Sequence, residues 1–246
     1  MDPHKIDKIL HQHSLWLSEK GRKGKRAYLA HSDLSGLDLS GADLRYAYLY
    51  SANLKDTNLS KAFLDKADLT FANLCNADLG HASMMGAALN YAELEKAFLY
   101  YADLAWSNLY GANLESATLS DANLYAANLI TAKLQCADLR DADLRFANLN
   151  HANLYHAQLE DALLNGADLS EAKTDDRMLC LDRIGNDKLR TIYNVNKNIV
   201  WCGWFKGTFE EWVEQIRQTY PDKKSIGRKE YEAAIDYFKA IRKASD

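Results

Sequence analysis

Seven histidines, four cysteines and 34 carboxylates are the side chains in these 246 residues that could carry catalysis or hold a metal. His11 and His13 lie two apart, and on a helix that spacing turns two imidazoles well away from each other. His151 and His156 are five apart and are expected on adjacent sides of whatever holds them. The cysteines show no paired spacing and read as free thiols in a reducing compartment. No GxSxG, CxxC, HExxH or dinucleotide fingerprint occurs, which leaves the common hydrolase, redox, zinc and Rossmann chemistries without their motifs. Gly21-Arg22-Lys23-Gly24-Lys25-Arg26 looks like a phosphate loop in composition alone, because the glycine spacing is wrong and no strand precedes it. It reads as a solvated basic linker, with a nucleic-acid-binding tail as the second reading. No catalytic residue, cofactor or metal is expected.

The frame that must position these side chains is visible from Ala27 to Thr174. Between Leu29 and Leu169 every fifth residue gives 29 positions, of which 28 are Leu and one is Met84. Two residues before each stands Ala in 25 of the 29 cases, the exceptions being Ser32, Leu37, Thr57 and Ser107. Asp or Asn commonly lies between, as in Ala42-Asp43-Leu44 and Ala52-Asn53-Leu54. On a helix, five residues advance a side chain about 140° beyond a full turn, so the leucines would scatter. On one continuous strand an odd period would send them to alternate faces. A chain that takes a short extended step and bends once per five residues points every Leu inward. The Ala two residues earlier then shares its face. Leu37 breaks the small-residue rule and is expected near a loose end of the array.

The A(D/N)LXX pattern resembles the pentapeptide-repeat family over about 148 residues, Ala27 to Thr174. The resemblance implies an all-β solenoid, a right-handed quadrilateral β-helix with four pentapeptides per coil. About seven such coils, stacked at the ~4.8 Å strand spacing, make a rod about 35 Å long.

Asp2, Pro3, Ile6, Ile9, Leu10, His13 and Leu17 predict a short amphipathic helix that caps the first coil. Residues 1–26 form this N-terminal part, 27–174 the repeat, and 175–246 a small α+β module. In the module Met178–Leu181 and Thr191–Val195 read as strands, and Ile199–Phe205 as a hairpin after a turn at Asn196–Asn198. Thr208 and Glu211 form a capping box for a helix ended before Pro221, and a last helix runs from Arg228 to Lys243. The segment WCGWFKGTFEEW resembles C-terminal appendages of some bacterial and phage members of the family. There is no secretory signal and no stretch long enough to span a membrane, so a cytoplasmic protein is expected.

Charge divides along the chain. Residues 27–172 hold 19 Asp+Glu against 8 Lys+Arg, a net of −11, while residues 1–26 carry 7 basic groups against 3 acidic. With four repeats per coil, residues twenty apart stack. One side then gathers Tyr48, Tyr50, Phe71, Tyr91, Tyr110 and Ile130, and the corner leading into it adds Tyr46, Trp106, Tyr125 and Phe146. The candidate interface is Tyr50, Phe71, Tyr91, Tyr110 and Trp106, because a contiguous apolar stripe marks a contact. Either the C-terminal module folded back on it or a second copy in a homodimer is expected to cover it. The opposite side gathers the candidate acidic surface Asp121, Asp138, Asp141, Glu160 and Asp161.

Two functions follow. The first is a non-enzymatic scaffold that presents a rigid surface to another protein, without direct contact to nucleic acid. The second comes from the resemblance, whose quinolone-resistance members are acidic rods proposed to occupy the DNA site of a type II topoisomerase. B-DNA carries one charge per ~1.7 Å of axis, and eleven over about 35 Å is roughly half that density. About 70 residues follow the rod here and no loop interrupts the repeat, both departures from those members.

Overall fold

The computed structural model describes residues 3–174, 178–184, 189–194, 198–202, 205–222 and 225–243. Asp2, Val195 to Lys197 and the Gly203-Trp204 step of the expected hairpin lie outside the described residues.

Parallel bridges join residues twenty apart from Tyr28↔Tyr48 through Asn153↔Lys173, so four pentapeptides make one coil. Each side of the coil holds a single bridging residue, the Asp/Asn position of the motif, between two turns. The expected β-solenoid is built from these single bridges rather than from regular strands. A period of five leaves no length for a regular strand once the corner is made, and regular strands occur only after residue 174. The ladder is complete nonetheless: the Leu34 N–H donates to the Asn53 carbonyl at 2.7 Å and the Asn53 N–H to the Ser32 carbonyl at 2.9 Å.

The corners show why the motif reads as it does. The residue after each Leu-X pair takes φ > 0, and the next N–H closes the turn on the Leu carbonyl, as in Ala47 to Leu44 at 2.9 Å. Asp and Asn side chains accept the first N–H of the corner, Asn58 from Ser60 at 3.0 Å and Asp78 from Gly80 at 2.9 Å. Asn amides also reach back one coil, Asn53 to Asp33 and Asn128 to Asn108, each at 2.9 Å. Leu and Ala fill the interior and are almost wholly buried, Met84 among them. Leu37 is only partly buried and lies in the first coil, where the relaxed end accommodates it.

Helix α1, Pro3–Ser18, lies over that end. Ile6 joins the leucine core, with Ile9 and Leu10 packed against it. His13 is fully buried and satisfies two backbone groups that the first coil leaves open. Its Nδ1 accepts from the Ala27 N–H at 3.1 Å, so Nε2 carries the proton and donates to the Arg45 carbonyl at 3.0 Å. The basic linker is not freely solvated as expected. Gly24 is pressed against α1 and Arg26 lies over the Tyr48 ring at 3.6 Å.

Beyond the coil a four-stranded antiparallel sheet runs in order β1 (Met178–Ile184), β2 (Leu189–Asn194), β3 (Ile199–Cys202) and β4 (Phe205–Thr208). Side chains alternate across it. Ile192 and Trp201, partners across β2 and β3, belong to the leucine core, while Tyr193 and Val200 face helices α2 (Phe209–Thr219) and α3 (Ile226–Lys243). The sheet therefore covers the far end of the rod. The Trp201 indole donates to the Ala162 carbonyl at 3.3 Å, and Asn165 Nδ2 to the Phe205 carbonyl at 2.7 Å. Thr208 caps α2 with both bonds of the capping box in place.

Candidate interaction surface

Every corner places one residue in the left-handed region, and 24 of the 29 corners of the rod do so with a residue other than glycine. These side chains project from the four edges of the coil, each edge stacking residues twenty apart. Together with the bridging position of each side, where Phe63 and Phe98 are exposed, these edges carry the outward sequence differences.

One edge is aromatic. His31 and Tyr50 lie 5.5 Å apart, Tyr50 and Phe71 5.8 Å, Phe71 and Tyr91 5.2 Å, and Tyr91 and Tyr110 5.4 Å between ring centroids. Phe71 and Tyr91 are stacked at 6°, and their neighbours meet them edge-on. The next corner in this column is Gly111, where a Cβ would stand 2.8 Å from the Tyr91 ring. Glycine there lets Tyr91 lie flat on the coil beyond it. Phe71 is 49% exposed and Tyr91 46%, while Tyr110 is half-buried. Tyr48 is not part of this ladder. It sits mid-side, between Tyr28 and the Arg26 guanidinium.

Trp106 stands on the neighbouring edge in a shorter run with Tyr125 and Phe146, at 5.5 and 5.4 Å. Four of the five expected interface residues thus form one line, and Trp106 forms a second. Among the described residues, the hydrogen bonds from the C-terminal sheet to the rod reach Ala162 and Asn165, at its far end. The chain leaves the stack at its end, where the open coil offers the larger apolar area.

A third edge carries Asp121, Asp141 and Asp161 in one column, with Glu160 beside them, all four exposed. The column continues backward into aromatic residues, His81 stacked on Tyr101 at 5.1 Å. The Asp121 charge and its hydrogen bond hold the Tyr101 phenol above its ordinary pKa. Asp161 also meets Lys206 of β4 at 3.5 Å. Asp138 does not belong to this column. It is mid-side, and Arg140 engages both its oxygens at 2.8 and 2.7 Å, which lowers its pKa. Asp43–Arg45 and Asp143–Arg145 repeat the same fork, so Asp-Leu-Arg is the sequence signal for a carboxylate already neutralised. Among the described residues no group of three or more His, Cys, Asp and Glu is placed to hold a metal.

Eight copies of the family described as Pentapeptide repeats match residues 25–60, 67–104, 99–135 and 137–173, more than half of the chain. The chain belongs to the pentapeptide-repeat family. Among solved structures, this pentapeptide-repeat protein is similar to HetL of the cyanobacterium Nostoc, involved in heterocyst differentiation regulation. That match has 29% identity over 65% of this chain and 92% of that one, at a TM-score of 0.23. A second pentapeptide-repeat protein from Nostoc is 38% identical over 36% of this chain and 84% of that one, at a TM-score of 0.33. Full-length QnrB1, a plasmid-mediated fluoroquinolone resistance protein, is 22% identical over 60% and 84%, at a TM-score of 0.23. No curated protein sequence matches. Among the described residues of this pentapeptide-repeat protein, no helix is long and apolar enough to cross a membrane.

Proposed function

We propose that this pentapeptide-repeat protein is a non-catalytic, cytoplasmic bacterial scaffold whose aromatic edge binds another protein. In this reading the coil is right-handed, as in its family, and residues 1–26, 27–174 and 175–246 are its three parts. The observation that carries it is the unbroken line from His31 to Tyr110, five rings in mutual contact with their outer faces in water. Burying rings of this size is worth a few kcal/mol each, and a contiguous strip of them marks a contact rather than scattered surface. The occupant is a second protein or a second copy of this chain, since a two-fold interface needs only one self-complementary patch.

The test places a photo-crosslinking phenylalanine analogue at Phe71 or Tyr91 in the producing cells, with exposed Phe98, on a side that does not adjoin this edge, as the control. Adducts are expected at the two ring positions and absent at Phe98, and an adduct of twice the chain mass identifies the homodimer. Equal labelling at all three positions, or none, overturns the reading.

The column Asp121, Asp141, Asp161 supports DNA mimicry as the second reading, with a type II topoisomerase as partner. Changing all three to Asn abolishes inhibition or protection in a supercoiling assay if mimicry holds, and added salt weakens it. An enzyme indifferent to a large excess of the wild-type chain rules it out.

A further inference from the structure

The two ends of the rod are closed unequally. Of the 29 inward positions 28 are buried, those of the first coil included, and Leu159 in the last coil alone is only half-buried. A solenoid end left open exposes apolar surface, which is why terminal caps carry a polar outer face. Helix α1 meets that demand at the near end. At the far end the sheet lays Ile192 and Trp201 on the core, and a cavity of about 200 Å³ remains between it and the last coil. Leu159, Leu164, Ile199 and Trp201 make walls that are almost wholly apolar, and Glu160 and Asp161 complete the lining. Both acids are exposed, which puts their carboxylates at the mouth rather than inside. Lys206 meets Asp161 at 3.5 Å yet leaves its side chain 80% exposed.

The other end of the same chain carries the complement of this site. Tyr28 is 71% exposed, more than any other ring among the described residues. It is braced from behind by Tyr48 at 5.8 Å between centroids, and Tyr48 in turn by the Arg26 guanidinium at 3.6 Å. Beside Tyr28 the stems of Lys8 and Lys25 join Ile9 in an apolar wall, while both lysines are exposed and keep their ammonium groups in water. Among the described residues neither lysine is in an ion pair. A ring flanked by cations therefore stands at one end, and an apolar socket flanked by carboxylates at the other. The remaining exposed rings of the rod project from a surface of net charge −11, which would meet Glu160 and Asp161 as like charges.

We propose that the cavity at the junction of rod and sheet docks the basic cap of a second copy of this chain. The Tyr28 ring enters between Leu159 and Trp201, and Lys8 and Lys25 meet Glu160 and Asp161. Ring and socket lie at opposite ends of one chain, so the contact is head-to-tail and continues from copy to copy. It uses neither aromatic edge.

The experiment is sedimentation velocity of the full chain carrying Phe71→Ser/Tyr91→Ser, which removes pairing through the aromatic edge and keeps the two readings separate. The average mass is expected to rise with concentration, and to fall back towards one chain as salt screens the pairs. Lys8→Glu/Lys25→Glu and Glu160→Lys/Asp161→Lys, each added to this chain, lose at least about tenfold in association because like charges then face each other. Mixing the two reversed variants restores association, since each offers the other an end of opposite sign. Tyr28→Ser weakens association without changing charge, which a general attraction between basic cap and acidic rod would not show. Matching thermal melts of the variants confirm that the fold is intact. A single-chain mass at every concentration up to about 1 mM, the weak limit of specific contacts, overturns the proposal. So does a mixture of reversed variants that stays apart, and so does association that survives in each reversed variant alone.

Discussion

Acidification should release helix α1 from the rod, and His13 is the residue through which it acts. Its imidazole is buried, with Nδ1 occupied by the Ala27 N–H and Nε2–H by the Arg45 carbonyl. A second proton on Nδ1 would face an N–H donor and find no acceptor. Burial lowers the His13 pKa below its usual value, partly offset by the Arg45 carbonyl and Asp43, with Arg26 and Arg45 adding to the lowering. The folded pKa is thus below that of the unfolded chain, about 6.5, and the unfolded state binds more protons in between. The stabilisation is full above pH ~6.5 and is lost as pH falls through the folded value. Protonation removes the Ala27 N–H bond to Nδ1 while Nε2–H still donates to the Arg45 carbonyl, so about one net hydrogen bond is lost, about 1 kcal/mol or roughly fivefold in the opening of α1. Hydrogen exchange of the Ala27 amide, corrected for intrinsic rate, should lose protection by that factor between pH 7.5 and 5, while Ala97 in mid-rod keeps its own. His13→Gln should start less protected and show little pH dependence. Protection of Ala27 that stays constant across this range would refute the reasoning.

Two further outcomes are expected from the core. Leu104→Ala should cost about 2–5 kcal/mol by opening a cavity in a closed column, read as a shift in the denaturant midpoint. Leu29→Ala should cost about as much despite its place in the first coil, because α1 leaves Leu29 wholly buried; a much smaller loss would mean the cap is open. Ser107 occupies an alanine slot with its hydroxyl buried and unbonded, whereas Thr57 in the same slot donates to the Leu34 carbonyl at 2.9 Å. Ser107→Ala should therefore stabilise by about 1 kcal/mol and Thr57→Ala should not, and equal effects in thermal melts would contradict this.

The interior of the rod was legible in the sequence because it repeats. One period, five, fixes which side chains point inward, and stacking at twenty follows once four sides are assumed. The Thr208–Glu211 capping box was legible for a similar reason, being local. The edges were legible only in part. Tyr48 and Tyr50 look alike in a count of twenties, but one bridges and the other turns, and that distinction needs the corner geometry. Asp138 falls on the same side as Asp121 and Asp141 in a count of twenties, and only the geometry shows it mid-side with both oxygens engaged by Arg140. His13 was not recognisable as the cap, since its partners lie 14 and 32 residues away. The docking of the C-terminal sheet was written in β2 and β3. Alternate residues there are large and apolar on both faces, so the sheet needs two surfaces to bury them, and α2 and α3 supply only one.

The energetics of the corners explain why function belongs there. A residue with a Cβ in the left-handed region costs about 1–2 kcal/mol, which Gly avoids and Asn or Asp softens. Phe71 and Tyr91 hold φ 58° and 55°. A ring pair returns about 0.5–1.5 kcal/mol, so the ladder roughly recovers its own strain and adds little beyond it. Stability alone would then be served as well by Asn or Gly at these corners. In the Asp121–Asp141–Asp161 column the backbone tolerates the residue type, but like charges one coil apart repel. Both columns therefore depart from what local stability selects, in opposite chemical directions, on separate edges of the same rod. Departures of this kind concentrate where a protein meets something else. Because the leucine interior varies little from coil to coil, Met84, Thr57 and Ser107 apart, the order of the coils is read from the outward side chains, and a partner that recognises one register along the rod must contact them.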